Sequence, residues 1–240
     1  MSMPPPDPAV LLIVTLAAFV RATVGFGDAL IAMSLLVLVT GLEVATPLVG
    51  LTGVSTALLM LLLSWQQVDM RSVAPFLGAS AIGIPMGALL LTRFSGEALI
   101  VLLGVVLVSF GLFRLTRPAL PALRHPALTL GLGLLSGLFG GAYNVSGPVA
   151  VLYGGLRRWP PEVFRASLQG YFIVTSLLIA TSHGVMGLWS LQVWRLYAFA
   201  LPLTVVAIFL GHRLAKRVPQ RGLERTINIA IVLLGLTLIL

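Results

Sequence analysis

Residues 8–41 read PAVLLIVTLAAFVRATVGFGDALIAMSLLVLVTG. It is apolar almost throughout, with Arg21 and Asp28 as its only charges. One membrane-spanning helix takes about 20 residues and two crossings about 40, so the stretch is too long for one span and too short for two. Gly25-Phe26-Gly27-Asp28 interrupts it near the middle. The spacing predicts two short helices meeting at a broken tip, either re-entrant or strongly tilted. Irregular backbone is tolerated at membrane depth only where protein buries it or a polar cavity borders it. Residues 126–156 show the same mismatch around Gly140-Gly141-Ala142-Tyr143-Asn144.

The rest of the 240-residue chain agrees with a membrane setting. Hydrophobic residues make up 58% and charged residues 9%, against about 25% charged in soluble domains, and the mean hydropathy is +1.07. This excludes a soluble globular domain, a disordered chain and a nucleic-acid binder with a basic face. It leaves a polytopic protein surrounded by the lipid bilayer. Single spans fit 44–64, 72–92, 96–113, 166–186, 190–212 and 222–240. The absence of cysteine excludes disulfides, thiolate catalysis and Cys-metal sites. His125, His183 and His212 are far apart in sequence, which argues against a His-rich metal site, and no cofactor or metal is expected. Met1–Pro8 has no basic segment of the kind that opens a cleaved signal peptide, and Pro4-Pro5-Pro6-Asp7-Pro8 reads as an extended lead-in to the first helix.

The net charge of +8 is an orientation signal, because the basic residues gather in short loops between apolar runs. With 65–71, 114–126, 157–165 and 213–225 on the cytoplasmic side, Arg71, Arg114, Arg117, Arg124, Arg157, Arg158, Arg165, Arg213, Lys216, Arg217, Arg221 and Arg225 all lie inside. Only Arg93 then lies outside, while Arg21 and Arg195 fall within or near spans. Both chain ends are placed outside.

The two halves resemble each other. Glu43-Val44 and Ser55-Thr56-Ala57-Leu58-Leu59 match Glu162-Val163 and Val174-Thr175-Ser176-Leu177-Leu178 at an offset of 119. The offset then drifts to 124, where Arg71 matches Arg195 and Gly87 matches Gly211. The expected fold is an all-α polytopic membrane protein made of two inverted repeats, each a broken helical hairpin followed by three transmembrane helices. The N-terminal repeat covers 1–113, a basic cytoplasmic linker 114–126 and the C-terminal repeat 127–240. Inverted repeats with discontinuous segments in corresponding positions point to the binding site of a secondary transporter.

Two runs also carry a family resemblance. Gly25-Phe26-Gly27-Asp28-Ala29-Leu30-Ile31-Ala32-Met33-Ser34-Leu35-Leu36 resembles the N-terminal signature of the sulfite exporter TauE/SafE family. Gly137-Leu138-Phe139-Gly140-Gly141-Ala142-Tyr143-Asn144-Val145-Ser146-Gly147-Pro148 resembles that family's second glycine-rich signature. The resemblance spans essentially the whole chain and implies a bacterial inner-membrane transporter that exports small anions, among them sulfite and sulfonates. The chain departs from the pattern at Ser34, where the family usually has proline, and at Tyr143, Asn144 and Ser146, where glycines are common.

A helix that starts inside the membrane presents unpaired N–H groups and the positive end of its dipole. Two such starts, near Asp28 and near Ser146–Pro148, would suit an oxyanion in one cavity. Gly25, Phe26, Gly27, Gly141 and Gly147 form the tips; the glycines allow close backbone approach, or alternatively only pack helices. Pro148 suits a first helical turn, and Tyr143, Asn144 and Ser146 add side-chain donors. Arg21 is the candidate cation and Asp28 a candidate proton acceptor. Alternatively the two form a structural ion pair, Arg21 snorkels, or Asp28 caps the second half-helix. Thr52, Ser55, Thr56, Gln169, Tyr171, Thr175 and Ser176 place polar groups on the matched third helices. Gln169 and Tyr171 are the stronger candidates for the cavity, and interhelical hydrogen bonds are expected of most of the rest. Arg165 is a candidate guard of the cytoplasmic entrance. The GxxxG pattern of Gly83 and Gly87, extended by Ala79, and the run Gly133, Gly137, Gly141 permit close helix contact, within a protomer or in a homo-oligomer.

The function these features favour is a secondary transporter, not an enzyme, exporting a small anion with protons as the candidate coupling ion. The chain has no GxxxxGK[ST] nucleotide-binding motif. The alternatives are an anion channel and an intramembrane serine hydrolase using Ser146 and His183, a pair the predicted depths keep apart.

Overall fold

The computed structural model describes residues 7–64, 70–94, 96–116, 122, 125–215 and 220–240, and among these the regular structure is all helical. Ten helices follow in order: α1 Pro8–Val24, α2 Asp28–Thr40, α3 Leu42–Ser64, α4 Met70–Arg93, α5 Gly96–Thr116, α6 Pro126–Tyr143, α7 Gly147–Leu156, α8 Pro161–Val185, α9 Leu191–Ala215 and α10 Gln220–Ile239. Seven of them, α3, α4, α5, α6, α8, α9 and α10, are long and apolar enough to cross a membrane. The six single spans read from the sequence coincide with six of these helices.

The hairpin starts have local causes. Asp7 caps α1 by accepting from the Ala9 N–H at 2.8 Å, and Pro8 occupies the first helical position, where no N–H is needed. His125 and Pro126 play the same parts for α6, Nδ1 accepting from the Ala127 N–H at 3.3 Å. α1 ends at Gly25, whose φ of 96° is open to glycine but strained for other residues. α6 ends at Asn144 with φ 59°, a left-handed conformation that asparagine tolerates. The second break therefore falls at Asn144–Ser146, a few residues later than the glycines suggest. α6 runs through Gly140 and Gly141 because those glycines serve packing instead of bending.

That packing joins α4 to α6, the most extensive helix contact in the molecule. A Cβ on Gly137 would overlap the Ser80 carbonyl, one on Gly141 the Ile84 carbonyl, and one on Gly133 would stand 2.7 Å from the Ala79 Cβ. From the other side, a Cβ on Gly83 would stand 3.0 Å from the Gly137 Cα. Both small-residue patterns are thus used against each other within one chain. α1 lies along α9, where a Cβ on Gly211 would come within 2.8 Å of the Phe19 carbonyl. α5 lies along α10 at Gly104 and Gly235, and α3 packs on α8, with Gly53 facing Ser176. Large apolar side chains such as Leu62, Ile82, Val206 and Phe209 face outward, as they do where lipid replaces water.

Trp159 packs edge-on against Tyr153, and Trp189 edge-on against Trp194. Arg117, Arg124, Lys216 and Arg217 of the basic loops lie outside the described residues, as do the side chains of Arg165 and Arg221.

Candidate functional site

Tip 1 is a three-residue turn, Gly25-Phe26-Gly27, with both glycines left-handed at φ 96° and 99°. No atom lies within 4 Å of a Cβ built on either, so conformation, not space, selects glycine there. The Phe26 ring packs edge-on against Phe110, with centroids 6.1 Å apart, and Arg114 lies over it at 5.3 Å. Arg114 is paired with Glu224 of α10 at 3.1 Å. The tip therefore reaches the last turns of α5, close to the end that carries the basic loop.

The turn brings Asp28 back to Arg21. One guanidinium nitrogen of Arg21 donates to both carboxylate oxygens at 3.0 and 3.3 Å, and another to Gln169 Oε1 at 3.3 Å. The cation lies 4.9 Å from the Phe172 ring centroid, and Arg21 is only 4% exposed. Gln169 also donates from Nε2 to the Gly25 carbonyl at 2.8 Å, tying α8 to tip 1. Arg21 and Asp28 thus form the ion pair that was one of the alternatives. The cap of α2 is Gly27 and not Asp28, which is the first helical residue and spends its carboxylate on Arg21. A buried cation of this kind is stable only when paired, yet its Nε keeps no partner.

Tip 2 is held differently. Asn144 donates from Nδ2 to the Thr46 carbonyl of α3 at 2.8 Å. The Ser146 carbonyl accepts from Ser136 at 2.9 Å, and Ser136 and the Tyr171 hydroxyl are 2.8 Å apart. Tyr171 in turn donates to Ser80 at 3.0 Å, so a buried polar chain runs from α7 through α6 and α8 to α4. α7 starts at Gly147 with Pro148 behind it and no side-chain cap.

Between the tips is a small open cavity of about 30 Å³. Of the residues singled out in the sequence, it is lined by Arg21, Gly27, Asp28, Asn144, Ser146, Gly147 and Pro148. The starts of α2 and α7 both border it, so N–H groups and dipole ends meet beside one guanidinium. Gln169 stands behind Arg21 as its partner. Gly25 and Phe26 hold the tip, Gly141 packs on α4, and Tyr143 is fully buried. Tyr171 joins the polar chain instead of lining the cavity.

Val49, Gly50 and Gly53 of α3, Phe172, Ser176 and Ile179 of α8, and Ala29, Leu30 and Val145 beside the tips complete the wall. Ser176 belonged to the polar set named above; Phe172 and Gly50 were missed, although 172, 176 and 179 share one helical face. Ser55 bonds across helices to Tyr197 of α9 at 2.7 Å, as Gln169 and Tyr171 do to their own partners, whereas Thr52, Thr56 and Thr175 depart from the expected interhelical bonding and donate to carbonyls of their own helices. Ser146 makes no hydrogen bond to His183, whose Nε2 is held by the Gly141 carbonyl at 2.9 Å, so the Ser-His arrangement of a hydrolase is not formed. Among the described residues no group of three His, Asp or Glu side chains could hold a metal.

The architecture is that of a multi-pass membrane protein in which two helix breaks border one cavity. The family model described as "Sulfite exporter TauE/SafE" matches residues 10–238, and the chain belongs to that family. The family consists of transporters, so the chain is not read as an enzyme. It is 33% identical over 156 residues to a Cupriavidus necator protein named "Probable sulfite/organosulfonate exporter TauE", covering 62% of this chain and 59% of that one. It is 27% identical over 184 residues to a Comamonas testosteroni protein named "Probable inner membrane transporter protein TsaS", covering 73% and 74%. No solved structure matches the chain significantly.

Proposed function

We propose that this protein is a secondary transporter of the inner membrane that exports a small sulfur oxyanion, sulfite or an organosulfonate. The anion binds in the cavity between the two tips, and the two repeats, 1–113 and 127–240 joined by 114–126, alternate its access to either side. Protons are the coupling ion. The names borne by the two relatives support the substrate class and the membrane.

The single observation that carries the site is the buried Arg21 guanidinium at a cavity bordered by two helix starts. Backbone N–H groups and a helix dipole suit an anion of delocalised charge, while Asp28 keeps the empty cavity nearly neutral. An arriving anion competes with Asp28 for Arg21, so binding is reversible by construction, as export requires.

The helix pattern supports the inverted repeat. α2 and α7 begin at Asp28 and Gly147, and α3 and α8 at Leu42 and Pro161, 119 residues apart in both cases. α1 and α6 end at Val24 and Tyr143 with the same separation. The packing follows the same exchange, since α1 lies on α9 as α6 lies on α4, while α3 pairs with α8 and α5 with α10. The charges do not follow it: Gly140 and Gly147 stand at the positions that match Arg21 and Asp28. One repeat supplies the ionic half of the site and the other a backbone half.

The test is thermal stabilisation of purified protein by sulfite, sulfate, ethanesulfonate and small carboxylates. Selective stabilisation by sulfite or the sulfonate, lost in Arg21→Ala, is expected. Equal stabilisation by every anion in both proteins would contradict the proposed site.

A further inference from the structure

His183 is fully buried in the last turn of α8, and the anion site described above does not use it. Its Nε2 lies 2.9 Å from the Gly141 carbonyl. A carbonyl can only accept, so Nε2 carries the hydrogen and Nδ1 keeps its lone pair. Nδ1 is buried and has no partner. Native proteins leave few buried polar atoms unpaired, and those that remain call for an explanation.

The surroundings of Nδ1 supply one. A Cβ on Gly50 would stand 3.1 Å from Nδ1 and 3.2 Å from Asn144 Oδ1, so glycine on α3 leaves both atoms bordering one small space. Gly50 and Asn144 also line the anion cavity. The other two histidines are placed differently: His125 caps α6 at an exposed position, and His212 lies in the last turn of α9, half-buried.

We propose that Nδ1 of His183 is the proton-carrying atom that couples proton movement to anion movement. This rests on the transport reading above. In the charge-based orientation α8 ends on the outer side, so the proton reaches Nδ1 from there. It adds to the lone pair, and no covalent bond breaks. The new N–H donates to Asn144 Oδ1. Burying an imidazolium is costly unless it is paired, and the negative end of the α8 dipole adds to the pairing. Asn144 at present holds the Thr46 carbonyl through Nδ2 and closes α6 in a left-handed conformation. Turning its amide toward His183 loosens that hold and moves the tip that carries Ser146 and the start of α7. Proton occupancy is thereby felt at the N–H groups facing the anion, and release of the proton reverses the step.

The neighbouring elements offer few competing charges. α3 carries Glu43, exposed, α4 carries Arg71 and Arg93 at its exposed ends, α6 carries Tyr143 and α7 carries Tyr153. Arg21 and Asp28 lie across the cavity and are paired with each other. None of these groups hydrogen-bonds to or pairs with His183.

The test uses the full-length protein in vesicles with an entrapped pH dye and ethanesulfonate, a permanent anion, so that any proton that moves is carried by the protein. Wild-type vesicles are expected to show proton movement tied to sulfonate movement, with flux raised several-fold by an imposed pH gradient. His183→Gln is expected to lose both the proton movement and the response to the gradient. Retention of either in His183→Gln would overturn the assignment, and sulfonate flux without proton movement in the wild type would overturn proton coupling itself. Absence of any sulfonate flux in the wild type would remove the transport reading as well. Should the variant fail to fold, nitrogen NMR of the wild-type imidazole, with His125 and His212 replaced by asparagine for assignment, decides. The Nδ1 signal is expected to gain a proton as pH falls and to shift when ethanesulfonate is added. A lone-pair signal unchanged by pH and by sulfonate would refute the proposal.

Discussion

Replacing Arg21 by alanine leaves the Asp28 carboxylate charged and without its 3.0 Å partner beside a largely buried cavity. Removing one member of a buried pair costs about 3–5 kcal/mol, because the remaining charge has lost both water and its counter-ion. At about 2–4 °C per kcal/mol for a chain of this size, the apparent melting temperature should fall by roughly 6–20 °C. The double variant Arg21→Ala/Asp28→Ala removes both charges and should recover most of that loss, since replacing both members is often nearly neutral. Asp28→Asn keeps an acceptor for Arg21 and deletes the competing negative charge. Two unit charges about 5 Å apart at an effective dielectric constant of 20 repel by about 3 kcal/mol. Asp28→Asn should therefore bind sulfite or ethanesulfonate roughly a hundredfold more tightly, whereas the double variant should be stable and bind neither. The assays are thermal unfolding in detergent and calorimetric anion titration. Native anion affinity in the double variant would show Arg21 to be structural only. An unchanged melting temperature in Arg21→Ala would refute the buried pair.

Other consequences are open to the same methods. Gly137→Ala drives a methyl group into the Ser80 carbonyl and should destabilise by about 1–3 kcal/mol; Gly131→Ala, on the open face of the same helix, should be neutral or stabilising by roughly 0.5–1 kcal/mol. Equal melting temperatures for the two would contradict the close α4–α6 contact. Gly25→Ala meets no atom but must hold φ 96°, so a loss of about 1–2 kcal/mol with weakened anion binding is expected; an unchanged melting temperature would deny the left-handed cap. Because the chain has no native cysteine, single cysteines report sidedness. Arg158→Cys, exposed in the basic loop after α7, should label from the cytoplasmic face, and Val185→Cys, 84% exposed at the end of α8, from the outside. The opposite pattern would invert the orientation.

Much of this architecture is legible in the chain because the bilayer restricts the choices. Loop charges and span lengths mark α3, α4, α5, α8, α9 and α10 to within a few residues, and two stretches of the wrong length reveal the hairpins. The second break is less legible because glycine has two uses. Gly25 and Gly27 supply left-handed turns, whereas Gly140 and Gly141 sit inside α6, Gly141 against the α4 backbone, and the turn is made by Asn144. Local sequence does not separate those uses, since the second depends on a helix far away in the chain.

Side-chain direction is the other gap. Tyr171 and Phe172 are neighbours about 100° apart around α8, so the helix phase sends one to the polar chain on α4 and α6 and the other under Arg21. His183 stands near the end of its span and looks peripheral in sequence. Its proximity to the site arises because tip 2 extends as far as the last turn of α8.

Under the proposed function, one saturable site between the tips carries a sulfur oxyanion across the membrane. Solute counterflow tests it most directly: vesicles preloaded with unlabelled ethanesulfonate are given a trace of labelled sulfonate outside, with no ion gradient. A carrier accumulates label transiently above equilibrium, and this overshoot should be present in the wild type and absent in Arg21→Ala/Asp28→Ala. Flux that only approaches equilibrium, rises linearly with concentration and is unchanged in the double variant would contradict the account and favour a channel.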